Sequence, residues 1–252
     1  VLRSEWIRLR TLRSTFVTLA AATGSMIGSS LLFTGLTASH WSATGPAERA
    51  TLNPTALSLI GFFLAQLAVG VLGVLVVTGE YSTGMMRATL SAVPRRLPVL
   101  WARAAVYPAV TCLLLTAASV AAFLAGQAVL STQDIGASLH DPGVTRAVLG
   151  TGLYLTVVAL LSVGIGMLVR NTAAGTATVI GLLVVIPGIA EALPRSWADH
   201  INPYLPSNAG HALVLLRSGP HTLAPWTGFV VFCLYAVAAL AAAAVALTRR
   251  DA

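Results

Sequence analysis

An all-α polytopic membrane protein is the fold class this sequence predicts, and three observations predict it. Hydrophobic residues make up 56% of the 252 residues and charged residues only 9%, against about 25% charged in an average soluble domain. Six runs carry no ionised side chain, at 14–39, 50–79, 104–133, 147–169, 171–190 and 222–248. Each is long enough to cross about 30 Å of hydrocarbon as a helix. The connections between them alternate between arginine-rich and arginine-poor. A mean hydropathy of +0.83 agrees with all three.

The first element precedes the spans. Over residues 1–13, Leu2, Trp6 and Leu9 fall on one helical stripe that continues to Phe16. Arg3, Arg8 and Arg10 point away from that stripe and Arg13 is placed to snorkel. A basic amphipathic helix of this kind lies in the membrane interface, its arginines on anionic headgroups; the same charges orient the first span. The uncharged run behind it is too long for an h-region and is followed by no small-residue cleavage site, so no cleavable leader is expected.

The spans themselves are expected at 14–39, 56–79, 104–130, 147–169, 171–190 and 224–248, forming a single transmembrane domain over 1–252. Alternate connections hold Arg3, Arg8, Arg10 and Arg13, then Arg87, Arg95, Arg96 and Arg103, then Arg170, then Arg249 and Arg250. The other side holds only Arg49, Arg146, Arg195 and Arg217, beside Glu48, Asp134, Asp141, Glu191 and Asp199. Eleven arginines against four predict both termini in the cytoplasm of a multi-pass membrane protein.

Within the spans, Gly24 and Gly28 form a GxxxG pair that permits close helix approach and is a candidate dimer surface. Gly150, Gly152, Gly164 and Gly166 are expected to serve packing inside one chain. Cys112 and Cys233 fall in apolar runs and read as small buried hydrophobes rather than a disulfide or metal pair. The segment 191–221 is too patterned for a plain linker: Pro194, Pro203 and Pro206 interrupt short apolar pieces, and Trp197 and Tyr204 are interface-type aromatics. One or two short helices dipping back toward the outer leaflet are expected there, or else an ordered surface loop. Pro203, Tyr204, Pro206 and Asn208 are candidate external gate residues.

The most informative stretch is the polar, basic connection after the second span, 79–96, GEYSTGMMRATLSAVPRR. Glu80 and Tyr81 stand where that span leaves the bilayer, Gly84 supplies a bend, and Pro94 makes Val93 a helix end. Met86, Leu90 and Val93 repeat at i, i+4, i+7, with Arg87 and Ser91 on another face. That is a short helix with an apolar ridge and a basic flank ending in Arg95 and Arg96, a layout suited to a partner's groove. A plain basic loop that only enforces topology is the simpler reading.

The pattern of Glu80, Gly84, Arg87, Leu90, Pro94 and Arg96 between spans two and three resembles the coupling segment of type 2 ATP-binding-cassette exporter permeases. Met85 stands where that family usually has threonine. The N-terminal EWIRLRTLRSTF, the six-span layout and the broken segment before the last span are also similar to this family, especially its small actinobacterial members. The resemblance implies a multi-pass permease subunit of the bacterial plasma membrane that pairs with a second permease subunit, identical or not, and with two cytoplasmic ATPase subunits. It implies that Met86, Leu90 and Val93 dock on the ATPase while Glu80 and Arg87 make polar contacts to it. Arg95 and Arg96 would then meet headgroups or acidic partner residues.

The chemistry absent from the sequence narrows the function. The chain has no lysine, so no phosphate-cradling GxxxxGK[ST] loop is present. No cofactor is expected on this chain; ATP and magnesium would sit on the partner, and nucleic acid is not an expected partner. The expected span interiors hold no Asp, Glu, Lys, Arg or His, with Gln66 and Gln127 as their longest polar side chains. Ion-coupled carriers generally retain such charges, which disfavours a secondary transporter, although carbonyls at broken helices bind sodium in some folds. Uncharged spans suit a hydrophobic, amphipathic or lipid-linked cargo. Neither HExxH nor GxSxG is present, so enzyme activity is not expected. His40, His140, His200, His211 and His221 are all expected in external segments, solvated or hydrogen-bonded. A non-transporting immunity or structural membrane protein is the remaining class.

Overall fold

The computed structural model describes residues 7, 13–82, 97–217, 219 and 222–249. Every regular element among them is helical. In chain order these are α1 (Arg13–His40), α2 (Pro46–Thr51), α3 (Pro54–Leu59), α4 (Phe62–Ser82), α5 (Leu97–Leu130), α6 (Val144–Val169) and α7 (Thr172–Ile180). Then follow α8 (Ile186–Glu191), α9 (Arg195–Ile201), α10 (Pro206–His211) and α11 (Pro225–Arg249). A π-helical turn, Gly181–Val185, runs α7 into α8 without a break. Six stretches are long and apolar enough to cross a membrane: Thr15–Ala43, Pro54–Gly79, Leu100–Gln133, Val144–Val169, Thr172–Glu191 and Pro225–Arg249. They match the six expected spans in number and order.

Lipid tails are as apolar as leucine, so helices in a bilayer associate through close packing and hydrogen bonds rather than hydrophobic drive. The bundle shows both. α6 is the most enclosed span and packs against α4, α5 and α11. A Cβ on Gly152 would stand 2.0 Å from Thr116 Oγ1, and one on Gly164 would stand 2.9 Å from Ala239 Cβ. The missing side chains are what let α5 and α11 approach. Gly150 and Gly166 likewise meet Leu213 and Val74 of the same chain. Between helices, Tyr107 Oη donates to the Val69 carbonyl at 2.7 Å and Ser30 Oγ to the Ala122 carbonyl at 2.6 Å; such bonds contribute about 0.6 kcal/mol each in membrane bundles.

Two departures from the sequence expectation matter for the site. The helix of the third span, α5, begins at Leu97, not at 104, and Arg103 lies inside it, 1% exposed. Pro98 falls in the first turn, where a missing N–H costs no hydrogen bond, so nothing stops the helix before Arg103. A span expected to be free of charge therefore carries a buried arginine. The second departure is a break in span two. α3 and α4 are separated at Ile60–Gly61, where a Cβ on Gly61 would stand 2.5 Å from Met26 Cα. The close approach of α1 pins this break. Cys112 and Cys233 are both free, and each is half-buried rather than buried as the sequence predicts.

Side-chain contacts gather the helix ends at the pole from which 83–96 departs. Thr172 Oγ1 at the start of α7 donates to Thr78 Oγ1 in α4 at 2.8 Å. Arg170 ends α6 in the left-handed region at φ 56°, with Nη2 3.5 Å from the Ala246 carbonyl of α11.

Candidate functional site

Of the connection singled out by sequence, Gly84, Met85, Met86, Arg87, Leu90, Val93, Pro94, Arg95 and Arg96 lie outside the described residues. Glu80 and Tyr81 belong to the last turn of α4, with their side chains outside the description. Trp6, Arg8 and Arg10 are outside it too, and Arg13 is the first residue of α1. Gly24 and Gly28 are described. A Cβ on either would meet nothing within 4 Å, so both lie on an outer face of α1. Gly35 is equally open, and exposed Val17 and Leu31 share the stripe at helical spacing.

At the opposite pole, 191–217 forms two short helices. Asn208 Nδ2 donates to the Asn202 carbonyl at 3.0 Å, and Tyr235 Oη of α11 donates to the Tyr204 carbonyl at 3.2 Å. Pro203 sits in the 3-10 turn Asn202–Tyr204, and Pro206 opens α10. The four residues expected at a gate therefore brace the turn between α9 and α10. Tyr204 is the exposed one, and Pro206 is buried.

That brace seats α10 against the bundle. Gly228 of α11 would put a Cβ 2.3 Å from the Ala209 carbonyl, and a Cβ on Gly210 would stand 2.6 Å from both Phe232 and Tyr154. The next residue, His211, consequently enters an aromatic cluster. Its ring centroid lies 4.9 Å from Tyr154, 5.0 Å from Phe62 and 5.3 Å from Phe63. Tyr154 stacks on Phe232 at 5.3 Å and donates its hydroxyl to Gln66 Oε1. Gln66 is 3% exposed and Tyr154 fully buried.

The cluster floors a cavity of about 420 Å³ beside the α3–α4 break, lined by Leu57, Ile60, Phe63, His211, Val214 and Leu215 among others. Among the described residues no charged side chain lines it, and besides His211 the polar residue there is Asn53, whose Oδ1 accepts from the Ala56 N–H as the cap of α3. His211 Nε2 is enclosed without a hydrogen-bond partner among the described residues. Such an orphan costs about 1–3 kcal/mol. Burial pushes the imidazole pKa from the usual 6.5 down to about 4, so the ring is neutral near pH 7. A neutral imidazole carries one donor and one acceptor nitrogen. The cavity is therefore an uncharged, apolar space that disfavours ions by desolvation, and the orphan nitrogen is sealed from it.

The sequence pattern puts His211 among solvated external histidines, and the structure corrects this. The histidine follows a proline, an asparagine and a glycine, and that composition reads as loop. The one available signal is Gln66, a long polar side chain inside a span. Among the described residues no three His, Cys, Asp or Glu side chains converge as a metal site.

The fold and site define a multi-pass helical membrane protein with a neutral, aromatic-floored pocket at one pole. Comparison with protein-family models, with curated proteins and with solved structures finds no match to this chain.

Proposed function

We propose that the chain is the membrane-spanning permease subunit of an ATP-driven exporter, one half of a translocation pathway worked by a separate cytoplasmic ATPase. The observation that carries the reading is the segment Glu80-x-x-x-Gly84-x-x-Arg87-x-x-Leu90-x-x-x-Pro94-x-Arg96 between the second and third spans. Its resemblance to a coupling segment supplies the partner: an ATPase whose closure on nucleotide pushes the short helix and reorients the bundle. Two further features support it. Asp and Glu are absent from the interiors of the six spans, so the chain lacks the carboxylates on which proton-coupled carriers rely. The open glycine stripe of α1 offers a second permease subunit a surface for close approach. In this reading both termini face the cytoplasm, and ATP and magnesium bind only the partner.

The test is co-purification and coupling. The chain should co-purify with the ATPase encoded by a neighbouring reading frame and should stimulate its hydrolysis in vesicles. Glu80→Ala and Gly84→Pro should abolish that stimulation while leaving membrane insertion and thermal unfolding unchanged. Undiminished stimulation in both variants would overturn the coupling assignment.

A further inference from the structure

We propose that the π-helical turn Gly181–Val185 is a joint within span five, across which α7 and α4 move as one body against α8 and the short helices that follow it. The inference does not rest on the ATPase reading, because it concerns how this chain is divided by itself.

The inner half of the span belongs to α4. Thr172 Oγ1 bonds Thr78 Oγ1 at 2.8 Å. A Cβ on Gly175 would stand 2.9 Å from Val74 Cγ1, and one on Gly70 would stand 2.8 Å from Val179 Cγ1. Positions 172, 175 and 179 thus meet 78, 74 and 70 in step, an antiparallel seam at helical spacing. Glycine makes room at two of these contacts, so the seam has one register. The outer half belongs elsewhere. α8 packs on α9 and on the 3-10 turn Asn202–Tyr204, and the π-helical turn packs on α10. α10 is in turn seated on α11, where Gly228 leaves room only for the Ala209 carbonyl. One span is therefore held by two different parts of the bundle.

Between the two halves the helix is built to yield. Pro187 has no N–H to give the Leu183 carbonyl, and its ring crowds that oxygen. The turn before it widens: the Ile186 N–H donates to the Gly181 carbonyl, five residues back. Gly181 and Gly188 bracket the wide turn, and among the described residues a Cβ on either meets nothing within 4 Å. Packing inside the chain does not require these two glycines, unlike Gly70 and Gly175. A glycine inside a helix disfavours the helical state about fivefold relative to alanine, and here that weakness falls on both sides of the turn. Proline, glycine and a π-turn each bend helices, and span five has all three within eight residues, 181–188.

Pairs of nitroxide labels on the full chain in phosphatidylcholine nanodiscs, read by double electron–electron resonance, test the joint in a background with Cys112→Ala and Cys233→Ala. All four labelled positions are exposed. Ala173→Cys with Thr248→Cys compares α7 with α11, across the two bodies, and should give two distance populations. Glu191→Cys with Thr227→Cys lies within the outer body and should give one. Gly181→Ala, which meets no neighbour and so keeps the packing, should lower the minor population of the first pair about fivefold. Gly35→Ala, at an equally open glycine of α1, should leave it unchanged. A single population from the first pair would overturn the joint. Two populations from both pairs would mean that the outer body does not hold together, which overturns it as well. A minor population that Gly181→Ala leaves unmoved, or that Gly35→Ala lowers equally, would overturn its assignment to the π-turn.

Discussion

At Gly210 the chain has no room for a single methyl group. A Cβ there would stand 2.6 Å from the rings of Phe232 and Tyr154, and neither ring can retreat because each packs on the other. Gly210→Ala should therefore destabilise the protein by about 1–3 kcal/mol, the usual cost of overpacking. Gly219→Ala meets nothing closer than 3.9 Å and should stay within about 0.5 kcal/mol; thermal unfolding in detergent separates the two. His211 adds a pH signature. Its folded pKa, about 4, lies below the usual 6.5, so between those values the unfolded chain binds more protons than the folded one. Stability from this group is complete above 6.5 and is lost as pH falls toward 4. The slope is at most about 1.4 kcal/mol per pH unit. Melting temperature measured from pH 7 to 4 should fall more steeply for the unaltered chain than for His211→Phe.

At the scale of elements, polar side chains do the joining that the hydrophobic effect cannot do in lipid. Gln127 near the end of α5 donates Nε2 to Ser58 Oγ at 3.0 Å and to the Pro54 carbonyl at 3.2 Å, and its Oε1 accepts the Ala137 N–H at 2.6 Å. One residue thus ties α5, α3 and the following turn together. Gln127→Leu should cost about 1–3 kcal/mol through the partners it leaves unpaired. Hydrogen exchange over 131–141 should speed up more than exchange in α6. The same contrast separates what is legible in the sequence from what is not. The six spans are legible because length and absence of charge decide insertion, and both are properties of a local stretch. Gln66 and Gln127 stand out as isolated polar residues, but their partners, Tyr154 and Ser58, lie 88 and 69 positions away. Arg103 and His211 mislead for one reason: each looks like the charged or polar edge of a run, and only tertiary contact buries it. The short α10 is set by the seat that Gly228 and Gly210 make for it, which no periodicity over six residues can reveal.

At the scale of the molecule, the two candidate regions sit at opposite poles of one helix. α5 runs for 34 residues, about 50 Å at 1.5 Å per residue, from the end of the 83–96 connection to the turn at 131–143. In the proposed orientation, which rests on the arginine count, its first end faces the cytoplasm, where an ATPase would reach Glu80 and Arg87. The His211 cavity would then open in the outer leaflet. Cysteine accessibility decides this orientation. In a background with Cys112→Ala and Cys233→Ala, Thr132→Cys should react with a membrane-impermeant maleimide on intact cells, and Ser91→Cys only after the membrane is opened. Thr132 is exposed and lies outside the cavity lining, so its labelling reports sidedness alone. The reverse pattern would place the basic segment outside, beyond the reach of any cytosolic nucleotide cycle, while leaving the His211 cavity intact but facing inward. The proposed coupling therefore stands or falls by this measurement, whereas the packing around His211 is the same in either orientation, although a single helix connects the two poles.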